Sequence, residues 1–409
     1  MQKSRRVLLI QGAVAAAMFS LGTGNFLAGY LSYLGAGPSL IAQITAIPTL
    51  GCVLQMISPL LFERLRYRKL AIIVLCFAFR FSMGFTVLAP FLFSGFGGRL
   101  SFVFALYLFS FLAAGFVTPA LNQWVMQLGP EKGRGRYFAR KDIIGTLVTA
   151  LVSYGMAWQL DVNTGKGMPL NGYVVVYGFC AVFSIVDAVL MCSMHEPPSK
   201  PASSIKWADL MAPLKNPGYR PVLFFNILSY FASFLCNPFL SVYQLQYLNL
   251  NHSFITAAGI VCSVVGMLGI WFWGRVADRT YWHMVVLLGG GISALCNLGW
   301  FLVPPGPAKI IAPLLMAVSA AGGAAGGMAG LNLQYDASPQ NGKTTYLGVT
   351  ASLASLVGYL SATLGSLLQK HLQAFMGLGS MRVLFLLSAC CAAAALLYGL
   401  RCLPRRKQA

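Results

Sequence analysis

Residues 254–283 read FITAAGIVCSVVGMLGIWFWGRVADRTYWH. From Phe254 to Trp273 there is no Asp, Glu, Lys or Arg; Arg275, Asp278 and Arg279 then arrive together. A helix rises about 1.5 Å per residue, so roughly 20 apolar residues cross the hydrocarbon core of a bilayer. The stretch therefore reads as a membrane span that ends abruptly in a charged loop.

Runs of this kind recur along the 409-residue chain. They lie near 7–34, 38–62, 70–93, 100–126, 142–160 and 172–192, then near 219–248, 254–276, 282–303, 310–334, 344–369 and 381–402. The fold expected is an all-α polytopic membrane protein of twelve transmembrane helices. Composition agrees: 57% of residues are hydrophobic and 9% charged, too few charges to cover a water-facing surface of normal size. The first run continues far past the short apolar core of a signal peptide, so it reads as an uncleaved span.

A net charge of +20 would suit a nucleic-acid binder. Here, however, the basic residues sit in short loops between apolar runs rather than on one folded polar face, and nucleic acid is excluded as a partner. With the N-terminus inside, 23 of 29 Lys and Arg fall on cytoplasmic segments. Arg99, Lys166, Lys309, Lys370 and Arg382 fall outside, and Arg80 lies mid-span. Both termini are expected in the cytoplasm of a cell-membrane protein.

The polar stretch from His195 to Arg220 divides the chain, giving expected halves at 1–192 and 219–409 with a cytoplasmic linker at 193–218. The halves echo each other. Phe26-Leu27-x-x-Tyr30 returns as Phe239-Leu240-x-x-Tyr243, 213 residues on, and Glu63-Arg64 returns as Asp278-Arg279, 215 on. Pro130 and Tyr137 return as Pro339 and Tyr346, both 209 on, behind the pairs Leu121-Asn122 and Leu331-Asn332. Four matches in order at a nearly constant offset predict two six-helix pseudo-repeats.

The loop Gly274-Arg-Val-Ala-Asp278-Arg279-Thr-Tyr-Trp-His283 resembles the signature loop of the major facilitator superfamily. Pro59-Leu-Leu-Phe-Glu63-Arg64-Leu-Arg-Tyr-Arg68-Lys69 is similar to a degenerate copy of it, with Pro for the glycine and Glu for Asp. The segment from Pro130 to Phe138 also resembles the superfamily's connection between spans four and five. The resemblance implies two six-helix bundles and secondary transport of a small-molecule solute by alternating access. It further implies that Glu63-Arg64 and Asp278-Arg279 form a conformational latch, Glu63 meeting the start of span 11 near Thr344 and Asp278 the start of span 5 near Asp142. The alternative is that these residues cap helix ends and set topology.

In span 7, Asn226, Tyr230, Ser233, Asn237, Ser241 and Gln244 recur at helical spacing within an arc of roughly 80°, opposite an apolar face. A polar stripe avoids lipid, so it faces protein or a watery cavity. Asn25 and Gln11 on span 1 join these cavity candidates. Span 11 carries Ser352, Ser355, Tyr359, Thr363 and Ser366, read as cavity or as interhelical glue. Glycines 322, 323, 326, 327 and 330 of span 10 stack at helical spacing and are expected to allow close packing. Arg80 in span 3 and Asp187 in span 6 lie at similar depth, either as a structural pair or as a coupling site.

Several patterns carry nothing. Gly342-Lys343-Thr344 lacks the leading glycine of a phosphate loop, and Asn251-His252-Ser253 is a sequon pressed against the membrane. The ten cysteines and four histidines show no metal spacing. No catalytic constellation or cofactor fingerprint is present, so neither an enzyme nor a bound cofactor or metal is expected. The spans of the cavity carry no charge, which favours a neutral or amphipathic solute, and span 5 lacks the Gly-Pro signature expected of drug/proton antiporters. A monomer is expected. The rival readings are a passive uniporter and a transporter-like membrane receptor or enzyme.

Overall fold

The structure, a computed structural model, describes residues 2–62, 65, 67–130, 134–196, 210–339 and 343–403. Among the described residues every regular element is helical. Among the described residues eleven helical stretches are long and apolar enough to cross a membrane, and the last, Thr345–Cys402, has 58 residues. That stretch is two spans, because helix Lys343–Met376 stops at a 3-10 turn, Gly377–Gly379, before helix Ser380–Cys402. Gly377 holds φ +56°, a conformation that side chains disfavour, and so reverses the chain there. The count is twelve.

The earlier spans are Gln2–Tyr33, Pro38–Met56, Lys69–Leu92, Phe96–Leu128, Arg140–Gly165 and Pro169–Ser193. The later ones before span 11 are Arg220–Tyr247, His252–Arg279, Trp282–Leu302 and Ala308–Ala337. Span 1 is broken where the sequence reads Gly22-Thr23-Gly24. Helix Gln2–Leu21 ends there and helix Gly24–Tyr33 begins, with Gly24 at φ +61°. Pro48 sits inside span 2, which tightens into a 3-10 turn at Cys52–Met56. Pro238 sits inside span 7, which widens into a π turn at Tyr243–Tyr247. Each proline leaves the carbonyl four residues before it without its helical donor, so both spans carry a local weak point in the turn ahead of the proline.

The described chain forms two compact units, Met1–Gly37 with Leu50–Ile205, and Pro38–Thr49 with Lys206–Ala409. The first part of span 2, Pro38–Thr49, therefore belongs to the second unit. Ser39 donates to the Ser366 carbonyl at 2.9 Å and Thr45 to the Pro238 carbonyl at 3.2 Å.

In unit 1, span 1 packs on spans 5 and 6, span 3 on spans 4 and 6, and span 2 on span 4. In unit 2, span 7 packs on 11 and 12, span 9 on 10 and 12, and span 8 on 10. These are the same pairings six helices later, so the two-repeat fold is a repeat of packing as well as of sequence. Apolar area drives little of this inside lipid; close fit does. A Cβ added to Gly115 of span 4 would fall 1.8 Å from the Gly51 carbonyl of span 2, so those backbones cross in contact. Large side chains such as Leu70, Leu151, Trp158 and Ile310 stay exposed, as lipid-facing positions require.

Candidate functional site

Unit 1 holds a buried charged knot. Asp187 of span 6 is fully buried, and the guanidinium Nη1 of Arg80 from span 3 lies against its Oδ2. Gln11 of span 1 donates from Nε2 to Asp187 Oδ1 at 2.8 Å. Both carboxylate oxygens are thus engaged, and three helices are tied through one side chain. Gln11, which the sequence groups with Asn25 as a cavity candidate, is committed to this knot. Asn25 itself is half-buried just past the break in span 1.

Unit 2 ties the equivalent helices with neutral groups. Ser388 of span 12 accepts from Asn297 Nδ2 of span 9 at 2.9 Å and from Cys236 Sγ of span 7 at 3.2 Å. Its own hydroxyl donates to the Ala232 carbonyl at 2.7 Å.

Along span 7, Asn226 donates to the Val222 carbonyl at 2.9 Å and accepts from Gln334 Nε2 of span 10 at 3.1 Å. Tyr230 is exposed at its edge and stacked on Phe234, with centroids 5.6 Å apart and planes 22° off parallel. Ser233 and Ser241 are half-buried and Asn237 is exposed. Gln244 is buried in the π turn, and its Nε2 has no hydrogen-bond partner among the described residues. Gln334 was not legible as a site residue; its signal is its position on the same face as the span 10 glycines.

Two members of the span 11 stripe bond within their own helix, while Ser352 Oγ is buried without a hydrogen-bond partner among the described residues. Thr363 and Ser366 donate to the carbonyls of Tyr359 and Ala362, at 3.0 and 2.9 Å. Ser361, off the stripe, donates to the Phe231 carbonyl of span 7 at 2.6 Å. Tyr359 is half-buried.

Asp278 and Arg279 are exposed at the end of span 8, and Arg275 stacks on the Trp271 ring at 3.3 Å. Glu63 and Arg64 lie outside the described residues. A carboxylate that the sequence reading passed over is engaged instead. Glu196, just past span 6, accepts from the backbone N–H of Arg68 and, at 2.8 Å, of Lys69, and so caps the start of span 3. Lys69 Nζ donates to the carbonyls of Cys192 and Met194, at 2.6 and 2.7 Å. Arg68 also donates to Gln123 of span 4. In unit 2, Tyr219 shares a 2.7 Å hydrogen bond with Thr350, and burial raises its pKa above the ordinary tyrosine value. Among the described residues, no group of three or more His, Cys, Asp or Glu is placed to hold a metal ion.

Two like-packed helical bundles with charges confined to buried knots and loop margins define a polytopic membrane protein of transporter architecture. The Major Facilitator Superfamily model matches residues 143–366, more than half of the sequence, and the chain belongs to that family. No curated protein matches it in sequence. Its fold is similar to that of a mutant of the nucleoside transporter NupG, with a TM-score of 0.77 at 12% identity, covering 98% of this chain and 100% of that one. It is similar also to a D-xylose–proton symporter, with a TM-score of 0.71 at 14% identity over 98% of both chains. A bacterial homologue of the human lysosomal transporter Spinster gives 0.66 at 12% identity, over 98% of this chain and 95% of that one.

Proposed function

We propose that this chain is a secondary transporter of a small neutral or amphipathic solute, working by alternating access in the cytoplasmic membrane with both termini inside. The observation that carries the reading is the span 7 stripe of a superfamily member: exposed Tyr230 and Asn237 stand among uncharged polar neighbours in the middle of an apolar helix. Asn25, Asn226, Ser233, Gln244 and Tyr359 are the further cavity candidates. In this reading the halves 1–192 and 219–409 rock about the solute, linked by 193–218. Glu63-Arg64 and Asp278-Arg279 serve as the latch, and the carrier works as a monomer without a cofactor.

Arg80 and Asp187 are read as a structural tie. Asp187 is the one acidic residue well inside the spans by sequence, and both of its oxygens are engaged. A carboxylate bound on both oxygens by two other helices is read as structural rather than as a coupling site, with passive uniport as the alternative to coupled transport.

The test is uptake by proteoliposomes containing the purified protein, screened across neutral, anionic and cationic solutes with and without a pH gradient. Saturable uptake of a neutral class, unaffected by the gradient, is the expected result. Uptake confined to charged solutes, or none above empty liposomes for any class, overturns the reading.

A further inference from the structure

Span 10 buries two of its faces within unit 2. Ala321 and Ala324 pack on Gly269 of span 8, and Trp273 Nε1 donates to the Ala321 carbonyl at 2.9 Å. On a second face a Cβ added to Gly289 of span 9 would lie 2.7 Å from Ala325 Cβ, 2.9 Å from the Gly322 carbonyl and 3.0 Å from the Gly326 nitrogen. The close packing expected of the span 10 glycines is met here at Gly322, where an added Cβ would lie 2.7 Å from Ile292, whereas a Cβ on Gly326 would itself meet nothing within 4 Å. It is not met on the third face. Gly323, Gly327 and Gly330, followed by Gln334, recur at spacings of four, three and four, and a Cβ on any of these glycines would meet nothing within 4 Å.

The foot of that bare face is closed by the bond from Gln334 to Asn226, which joins span 10 to span 7. Beyond this amide pair, span 7 presents Tyr230 on Asn226's side of the helix. The Tyr230 ring is stacked on Phe234, and Phe234 in turn rests against span 11, 3.1 Å from where a Cβ on Gly358 would sit. The notch inferred from this has the amide pair as its floor, Tyr230 one turn beyond it on span 7 and the bare glycines one turn beyond it on span 10. Between Arg220 and Asn251 on one helix, and between Lys309 and Asp336 on the other, there is no Asp, Glu, Lys or Arg.

We propose that this notch takes a flat, neutral ring with hydrogen-bonding groups on its edge, such as the heterocyclic base of a nucleoside. The inference rests on the transport reading above and names its substrate class. Aromatic stacking needs a planar π face, which Tyr230 supplies. A wall without Cβ atoms lets the other face of the ring lie against a helix backbone, where any larger residue would fill the space. The amide floor offers both donors and acceptors to ring N–H and C=O groups, as recognition of a neutral heterocycle requires. An ionised group would find no counter-charge in the notch and would bear its desolvation uncompensated.

Exchange of radiolabelled uridine by proteoliposomes, with unlabelled adenosine, ribose and D-xylose as competitors, tests this. Uridine exchange should be saturable, blocked by adenosine and indifferent to ribose and xylose. Tyr230→Leu should weaken the apparent uridine constant roughly five- to hundredfold, as loss of a base stack does. Tyr230→Phe should hold it within about twofold, because the ring is kept. Gly327→Val should abolish exchange at normal membrane abundance; if that variant fails to insert, Gly323→Val replaces it. Exchange of D-xylose but not uridine overturns the ring inference and leaves the transport reading standing. Uridine exchange unchanged in both Tyr230→Leu and the valine variant also overturns it. No exchange of any neutral solute overturns both.

Discussion

The hydroxyl of Tyr243 donates to the Trp300 carbonyl at 3.1 Å, and that of Tyr30 donates to the Thr86 carbonyl at 2.9 Å. The donors sit on spans 7 and 1, the acceptors toward the C-terminal ends of spans 9 and 3. Each tyrosine is fully buried, and each also packs on an aromatic of the sixth helix of its unit: Tyr243 on Phe385 at 5.1 Å and Tyr30 on Tyr177 at 5.0 Å. One packing device has been kept in both repeats.

Removing either hydroxyl leaves ring packing intact but strands a buried carbonyl. Tyr30→Phe and Tyr243→Phe should each destabilise the purified protein by about 1 kcal/mol, within the range for buried and membrane hydrogen bonds. Thermal unfolding in detergent should show a lowered midpoint for both, with the apparent substrate constant unchanged. A changed constant at unaltered stability would place these tyrosines in transport rather than in packing.

The Arg80–Asp187 knot predicts a different pattern. Asp187→Asn leaves the Arg80 guanidinium buried without its counter-charge, a loss of about 3–5 kcal/mol for a broken buried pair. Membrane abundance should fall sharply. Adding Arg80→Gln removes the stranded charge, and abundance should partly recover. Normal abundance in the single variant, with transport that no longer responds to a pH gradient, would make Asp187 a coupling group.

The helix count and the repeat were legible because both rest on patterns that a sequence displays: runs without charge, and paired residues at a constant offset. Tyr30 and Tyr243 were visible as a match, and so were Tyr137 and Tyr346. The structure ties both members of the second pair to the start of the first span of their unit: Tyr137 donates to the Arg5 carbonyl in the opening turns of span 1 at 2.7 Å, and Tyr346 accepts from Asn216 just before span 7 at 3.2 Å. The break in span 1 was not foreseen, since Gly22-Thr23-Gly24 lies inside an unbroken apolar run. Gln11 was legible as a polar residue of span 1, but its bond to Asp187 was not, because periodicity fixes a face and not the distance to another span. Glu196 escaped notice because its partners are backbone N–H groups 127 and 128 residues away, which no sequence spacing encodes.

Orientation is open to a direct test. In a cysteine-less background, single cysteines at Gly97, Lys166 and Gly306, all exposed, should react with a membrane-impermeant thiol reagent in intact cells. Cysteines at Tyr67, Asp278 and Arg401, also exposed, should react only after lysis. The reverse pattern would turn the protein over in the membrane.

Two carboxylates at the charged margin separate structural from conformational roles. Glu196 is half-buried, accepts from the N–H groups of Arg68 and Lys69 and meets the positive end of span 3. Its loss resembles the loss of a helix cap, worth about 1 kcal/mol. Glu196→Ala should therefore lower the thermal midpoint and slow folding into the membrane, while Glu196→Gln, which keeps an acceptor oxygen, should retain most of the stability. Asp278 is exposed at the end of span 8, so little native packing depends on it. Asp278→Asn should leave abundance and midpoint close to those of the unaltered protein and still slow transport strongly, because a latch acts during the cycle and not in the resting fold. Midpoint and initial uptake rate, measured on both variants in the same preparation, distinguish the two roles. Should Asp278→Asn transport at the normal rate, the Asp278-Arg279 pair is a topology and capping element, and the latch proposal fails.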